Sequence, residues 1–198
     1  MRLEHFATAR LRAERLLRDH WPDLRLMDQD PVMMDHLGGP RDEAGTQAYL
    51  ERNLAHWASY GFGLWILRDA SSGVVAGRAC VRHLHIEGRD EVEIGYGFLP
   101  AFWGRGLATE VARKCVAIGF EELQLMSLVA LTTPQNRSSQ HVLEKVGMTS
   151  EGIVDHDGVA FLLYRLHRKF PPVGDLPSVL DGSAPPPDLV PANKSTSA

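Results

Sequence analysis

Residues Glu93 to Phe120, EIGYGFLPAFWGRGLATEVARKCVAIGF, pass from an alternating stretch through a glycine-broken turn into a helical pattern. A strand that feeds through Trp103, Gly104, Arg105 and Gly106 into a helix gathers backbone N–H groups and the positive end of a helix dipole around one point. Such a point attracts phosphate. Gly104 and Gly106 let the backbone approach closely, and Arg105 sets a cation beside it. Glycines between a strand and a helix also serve as plain tight turns, so the pattern alone names no ligand. The turn lacks the Lys and Ser/Thr of a nucleoside-triphosphate loop, and the spacing Gly104, Gly106, Thr109 misses the third glycine of GxGxxG. His83 and His85 share a strand face, but an HxH pair without a third ligand type nearby does not point to a metal.

The elements around the turn must hold it in place. Residues 8–16, TARLRAERL, read as a first strand, and residues 21–29 and 42–61 as helices. The second helix carries Ala48, Leu50, Leu54, Ala55 and Trp57 at helical spacing and stops at Gly61. Residues 63–69 and 74–84 make a hairpin around ASSG, and after the turn EGRD residues 91–98 alternate again. Val92, Ile94, Tyr96 and Phe98 take one face of that strand; Glu91, Glu93, Gly95 and Gly97 take the other. Beyond the turn, Ala108, Val111, Ala112, Cys115 and Ile118 form the apolar stripe of an amphipathic helix, with Glu110, Arg113 and Lys114 outward. Residues 126–133 read as a buried strand, 136–147 as a helix closed by Gly147, and 158–166 as a last strand. This order predicts an α+β fold with a mixed sheet.

Composition sets the outer bounds. The chain has 198 residues, 44% hydrophobic and 23% charged, which suits one well-buried core. A formal net charge of −4 gives no basic footprint for nucleic acid. No stretch approaches the roughly 18 apolar residues that a membrane span needs. The N-terminal residues alternate charge with apolar side chains and lack the apolar core of a secretory signal. Cys80 and Cys115 stand in no CxxC spacing and cannot make a disulfide framework, so a reducing cytoplasm is the expected compartment. Residues 171–198 hold seven of the twelve prolines and no aromatic residue. They read as a flexible Pro-rich tail following a domain of residues 1–170.

The blocks EIGYGFLPAFWGRGLATE and NRSSQHVLEKVGM, in this order and separation, resemble the GNAT acetyltransferase superfamily, most closely its ribosomal-protein-alanine N-acetyltransferase branch. The likeness extends over roughly residues 7–167 and includes TARLRAERL and GFGLWILRD. It implies a twisted mixed sheet flanked by helices and splayed between two central parallel strands, one ending at Phe98 and the other within residues 126–133. It also implies acetyl-coenzyme A as cosubstrate. The pantetheine arm would pair with the backbone of Phe98 and Leu99, and the diphosphate would sit on Trp103, Gly104, Arg105, Gly106, Leu107, Ala108 and Thr109. Trp103 replaces the superfamily's usual Gln or Arg, as the branch does, Ala108 replaces the last glycine, and Gly97 stands where a bulky residue is typical. The resemblance further assigns Asn136 and Ser139 to the cofactor site. The branch often pairs, which makes a homodimer an expectation, although no residue here marks an interface.

Acetyl transfer to nitrogen requires a free-base amine. At pH 7 an α-amino group needs about 1 pKa unit of help and a lysine amine about 3. Glu93 is the candidate base, being opposite the core-facing positions and five residues before the expected splay; Glu91, on the same face, is the reserve. Both also read as solvated strand-face charges. Ser139 falls in register with Val142, Leu143 and Val146, so its hydroxyl lies along the buried stripe and is a candidate proton donor to the leaving thiolate. Asn136 is the natural N-cap, and a first-turn serine is common for that reason alone. Tyr164, on the last expected strand, is the other candidate acid. The expected acceptor is a protein N-terminal α-amine. The alternatives are a small-molecule amine, such as an antibiotic or polyamine, and a non-catalytic acetyl-coenzyme A-binding module.

Overall fold

Strongly apolar runs separated by tight turns fold here into one sheet. The computed structural model describes residues 3–169; the expected tail at 171–198 lies outside the described residues. The sheet has eight strands in the order β1-β2-β3-β4-β5-β6-β8-β7. They are β1 (His5–Ala7), β2 (Leu11–Arg15), β3 (Leu64–Asp69), β4 (Val75–Ile86), β5 (Arg89–Phe98), β6 (Ser127–Thr132), β7 (Thr149–His156) and β8 (Val159–His167). The helices are α1 (Trp21–Asp28), α2 (Pro31–Met34), α3 (Glu43–Tyr60), α4 (Leu107–Ala117) and α5 (Arg137–Lys145). All neighbouring strands are antiparallel except β5 and β6, which run parallel. The mixed α+β sheet and its parallel centre are as expected.

Local chemistry sets the boundaries. Asp42 caps α3 by accepting from the Gly45 N–H at 2.7 Å, and Gly61 ends it in the left-handed region at φ 73°. Asp69 ends β3 and gathers the hydroxyls and N–H groups of Ser71 and Ser72 on its Oδ1, which makes the ASSG turn. Residues 8–16, expected as one strand, divide instead. Thr8 donates its N–H to Leu11 O at 2.9 Å and accepts the Leu11 N–H on Oγ1 at 3.1 Å, turning the chain between β1 and β2. Two strands escaped the sequence reading, β1 because it is three residues long and β7 because only Val154 in it is buried. The signal for β7 was its turn: Asp157 and Gly158 both have positive φ, at 55° and 78°.

The helices divide between the faces of the sheet. α1 packs on α2 and α3, while α4 packs on β4, β5 and α5. Neighbouring β5 residues point to opposite faces. A side chain at Gly97 would meet Leu37 and Met33, whereas Tyr96 reaches Ser139 on α5. The segment around α2 therefore covers one face of β5 and α5 the other. Trp65 anchors the core on β3, fully enclosed, with its indole N–H donated to Leu3 O at 2.8 Å and its ring edge-on to Phe6 and Trp57.

On β4, Gly77 lies opposite Phe98 of β5. A Cβ at Gly77 would stand 2.2 Å from Gly97 O and 2.9 Å from Phe98 Cα. Gly77→Ala should therefore cost about 1–3 kcal/mol of stability. It would appear as a lower urea midpoint at unchanged slope, and an unchanged midpoint would contradict this close approach.

Candidate active site

The parallel strands β5 and β6 part almost as soon as they meet. Among the described residues their register is a single pair, Glu93 opposite Val129, although β5 runs on to Phe98 and β6 to Thr132. The Leu99 N–H donates to Ala76 O on the β4 side at 2.9 Å, so by alternation the backbone groups of Tyr96 and Phe98 face the gap. The Phe98 carbonyl there accepts the Trp103 indole N–H at 2.7 Å. Leu99, expected to offer its backbone to a pantetheine arm, already has both groups committed, since its carbonyl accepts from Phe102 N–H at 2.9 Å. Among the described residues, the backbone donors turned to this edge are the N–H groups of Tyr96 and Phe98.

At the end of β5 the chain turns through Pro100–Phe102 and the glycine turn into α4. Gly104 and Gly106 take φ of 70° and 74°, a region that favours glycine. The first bond of the helix ladder here runs from Glu110 N–H to Gly106 O at 3.2 Å, which leaves the amides of Leu107, Ala108 and Thr109 unpaired within the helix. A Cβ at Gly104 would meet nothing within 4 Å, so the cradle above it is open. Arg105, expected as the cation of this site, leans instead toward Asp69 at 3.4 Å and over the Phe102 ring.

A different arginine stands at the turn. Arg10 donates Nη1 to Arg105 O at 2.6 Å, and its Nη2 would be 3.7 Å from a Cβ at Gly106. Glu110 holds it, accepting from Arg10 Nε at 2.7 Å, from the Arg10 N–H at 2.9 Å and from Thr8 Oγ1 at 2.5 Å. Burial would raise the Glu110 carboxyl, but the hydrogen bonds from Thr8 and Arg10 hold it below its ordinary value. Arg10 and Glu110 are 100 positions apart, a pairing that no local pattern reveals.

At the vertex of the splay, Glu93 is buried and lies across from Arg82 on β4, which donates Nε to Glu93 Oε1. Among the described residues Glu93 Oε2 has no hydrogen-bond partner, and it is not enclosed. Glu91 is differently placed. Its two oxygens accept Arg165 Nη2 and Nη1 at 2.8 and 2.9 Å, while Arg165 Nε bridges to Glu151. The Arg165 hydrogen bonds, outweighing burial, hold the Glu91 carboxyl below its ordinary value.

On the other face, Ser139 Oγ lies 3.2 Å from Tyr96 Oη, and Asn136 caps α5 by accepting from the Ser139 N–H at 3.0 Å. Burial pushes the Tyr96 phenol up to about 12, against the lowering effect of its bond to Ser139. Tyr96 was read from sequence as a core-face residue only. Tyr164 is buried opposite Ala130, its phenol raised first by burial and then by Glu144. His83 joins His56, Tyr60 and Phe62 in a ring cluster, and His85 pairs with Asp90 at 2.9 Å. The segment after α2 crosses the cleft mouth. Met33 and Leu37 fill the space that a side chain at Gly97 would take, and His36 Nδ1 meets Thr133 Oγ1 at 3.2 Å beyond β6.

Residues 10–149 match the model of the GNAT acetyltransferase domain. The chain belongs to the GNAT acetyltransferase family. It is similar to the uncharacterized protein YkkB of Bacillus subtilis, 37% identical over 123 residues that cover 62% of this chain and 72% of that one. It is also similar to the FsC-acetyl coenzyme A-N(2)-transacetylase of Aspergillus fumigatus, 28% identical over 151 residues, 72% of this chain and 63% of that one. The crystal structure of an acetyltransferase from Agrobacterium tumefaciens matches with a TM-score of 0.74 at 28% identity, over 85% of this chain and 96% of that one. The GNAT family uses acetyl-coenzyme A, and the chain is an acetyltransferase acting on amines. The open cradle over Gly104, the free first-turn amides of α4 and the adjacent Arg10 suit the diphosphate of such a cosubstrate.

Because the Glu110 carboxyl is lowered, its stabilising effect is present above the ordinary 4.5 and is lost as pH falls through the lowered value. Glu110→Gln should flatten that acid limb in urea titrations at several pH values. Arg10→Ala should weaken coenzyme A binding about tenfold by calorimetry; unchanged affinity would remove Arg10 from the cradle.

Proposed function

We propose that the protein acetylates the α-amine of a protein N-terminus, with Glu93 as base and Ser139 as proton donor. The observation that carries this reading is the placement of the two groups on opposite faces of one splayed strand. Glu93 lies on the face covered by the α2 segment, and Tyr96 and Ser139 lie on the α5 face. The gap between β5 and β6 joins the two sides.

Acetyl-coenzyme A would supply an activated acetyl group as a thioester, with its diphosphate on the amides of Leu107, Ala108 and Thr109 beside Arg10, and its arm along the Phe98 N–H. Glu93 takes the amine's proton on Oε2, because Oε1 is engaged by Arg82. Arg82 also fixes the rotamer of the carboxylate, which otherwise would have to be ordered as the acceptor arrives. Ser139 presents its hydroxyl proton toward the departing sulfur. Tyr96, kept neutral by burial, has its O–H within 3.3 Å of Ser139 O and 3.2 Å of Ser139 Oγ, a hydroxyl pair in which either can donate; with Tyr96 as the donor to Oγ, the serine proton is free to point into the gap. The buried, free thiols of Cys80 and Cys115 fit a reducing cytoplasm.

Thiol release from acetyl-coenzyme A with peptides bearing ribosomal-protein N-termini tests the acceptor, and activity confined to small amines would sink that part. Binding of coenzyme A without thiol release across a broad amine panel would instead mark a non-catalytic module. Glu93→Gln should lower kcat about a hundredfold or more, and Ser139→Ala about tenfold or more, with little change in the thermal shift produced by coenzyme A. Tyr96→Phe should resemble Ser139→Ala. Wild-type turnover in all three would dismiss these roles.

A further inference from the structure

Beside the open oxygen of Glu93 stands a guanidinium with two terminal amino groups that no atom of the described residues engages. Arg82 donates Nε to Glu93 Oε1, and among the described residues neither its Nη1 nor its Nη2 has a hydrogen-bond partner. Its side chain keeps 30% of its surface exposed, so this unpaired end reaches open space. The neighbouring arginines of the same face differ. Arg78 donates Nη1 to Asp28 Oδ1 at 2.6 Å and Nη2 to Met34 Sδ at 3.3 Å. Arg41 donates Nη1 to Asp28 Oδ1 at 2.8 Å and Nη2 to Leu37 O at 3.4 Å. Those two cations are built into the wall, whereas the fork of Arg82 is open at the vertex of the cleft.

A planar fork of free N–H groups recognises a carbonyl or carboxylate oxygen. Its distance from the reacting amine is constrained. With Nε on one oxygen of Glu93 and the amine on the other, an oxygen bound by the free amino groups can come within about 3–6 Å of the amine nitrogen, given ordinary hydrogen-bond lengths. An oxygen on the carbon next to the amine-bearing carbon meets that span. We infer that Arg82 orients the acceptor by binding this oxygen, so that the site selects α-aminoacyl units, N–C–C=O, over plain alkylamines and polyamines. The second ammonium of a polyamine would face the Arg82 charge and be repelled. The inference rests on the acetyltransferase reading with Glu93 as base. The α-aminoacyl unit has two sources, a peptide N-terminus and a free amino acid.

The test is steady-state thiol release by the full chain with alanyl-alanine amide, free alanine, isopropylamine and spermidine. Rates are expressed per free-base concentration, because a peptide α-amine near about pKa 8, the amine of free alanine beside its own carboxylate and alkylamines near about 10.4 ionise differently. The wild type should favour the better α-aminoacyl acceptor over isopropylamine and spermidine by about tenfold or more in kcat/KM. Arg82→Met should lose most of that preference through KM, while keeping the coenzyme A thermal shift that reports a folded protein. Arg82→Lys keeps charge without the fork, and should restore binding of alanine's carboxylate more than of the peptide carbonyl. Preference for the peptide over alanine identifies the N-terminus as the source, and the reverse identifies a free amino acid. A wild-type preference for spermidine, or selectivity unchanged in Arg82→Met, overturns the inference and leaves acetyl transfer standing. Thiol release with none of the four overturns the acetyltransferase reading and this inference with it.

Discussion

The site depends on a pairing that stops after one register position. Where β5 and β6 diverge beyond Glu93 and Val129, the backbone groups of Tyr96 and Phe98 lose the partners that a continuous sheet would supply. A buried backbone group without a partner costs about 1–3 kcal/mol, so a splay is a demand for hydrogen bonds as well as an opening. The Trp103 indole meets part of that demand at the Phe98 carbonyl. The backbone N–H groups of Tyr96 and Phe98 remain as donors along an extended edge. The glycine turn then follows directly from the same strand, so that one segment of chain supplies both a strand-like edge and the unpaired first-turn amides of α4.

Electrostatics sorts the carboxylates around this cleft. Glu91 is fully engaged by Arg165, and Asp28 is buried with two arginines on a single oxygen. Such pairs stabilise mainly by sparing each charge an uncompensated burial. Glu93 differs by one atom. Its Oε1 is paired and its Oε2 is not, which leaves a carboxylate that is both fixed and able to accept a proton. Two glutamates on the same strand face, two residues apart, thus receive different work from the arginines that meet them, Arg82 on the neighbouring β4 and Arg165 on β8 beyond β6.

Much of this was legible in the sequence, and the unreadable part has a common cause. The alternation of β5, the glycine turn and the stripe of α4 are local patterns, and they placed Glu93, Gly104, Gly106 and the first turn of α4 correctly relative to one another along the chain. Local patterns carry no information about partners. The sequence could not show that Arg82 faces Glu93, that Arg10 reaches the glycine turn through Glu110, or that Arg105 turns to Asp69. Alternation also assigned Tyr96 to packing and Glu93 to an outward face. The structure covers that face with the α2 segment, so a polar side chain there is buried after all. The short β1 and the exposed β7 lacked any apolar alternation to betray them.

Glu93 and Tyr96 are separated by an odd number of positions, and this small fact limits how the gene can vary. Pleating reverses the face at every residue. Deleting or inserting one residue between them would bring the carboxylate and the phenol hydroxyl to the same side of the sheet, with the inter-strand passage no longer between them. Loops elsewhere in the chain can lengthen or shorten at little cost. Within this interval, length variation of a single codon is excluded by geometry before any side chain is considered, and Gly95 is held as well, since a Cβ there would stand 2.9 Å from Cys80 Sγ.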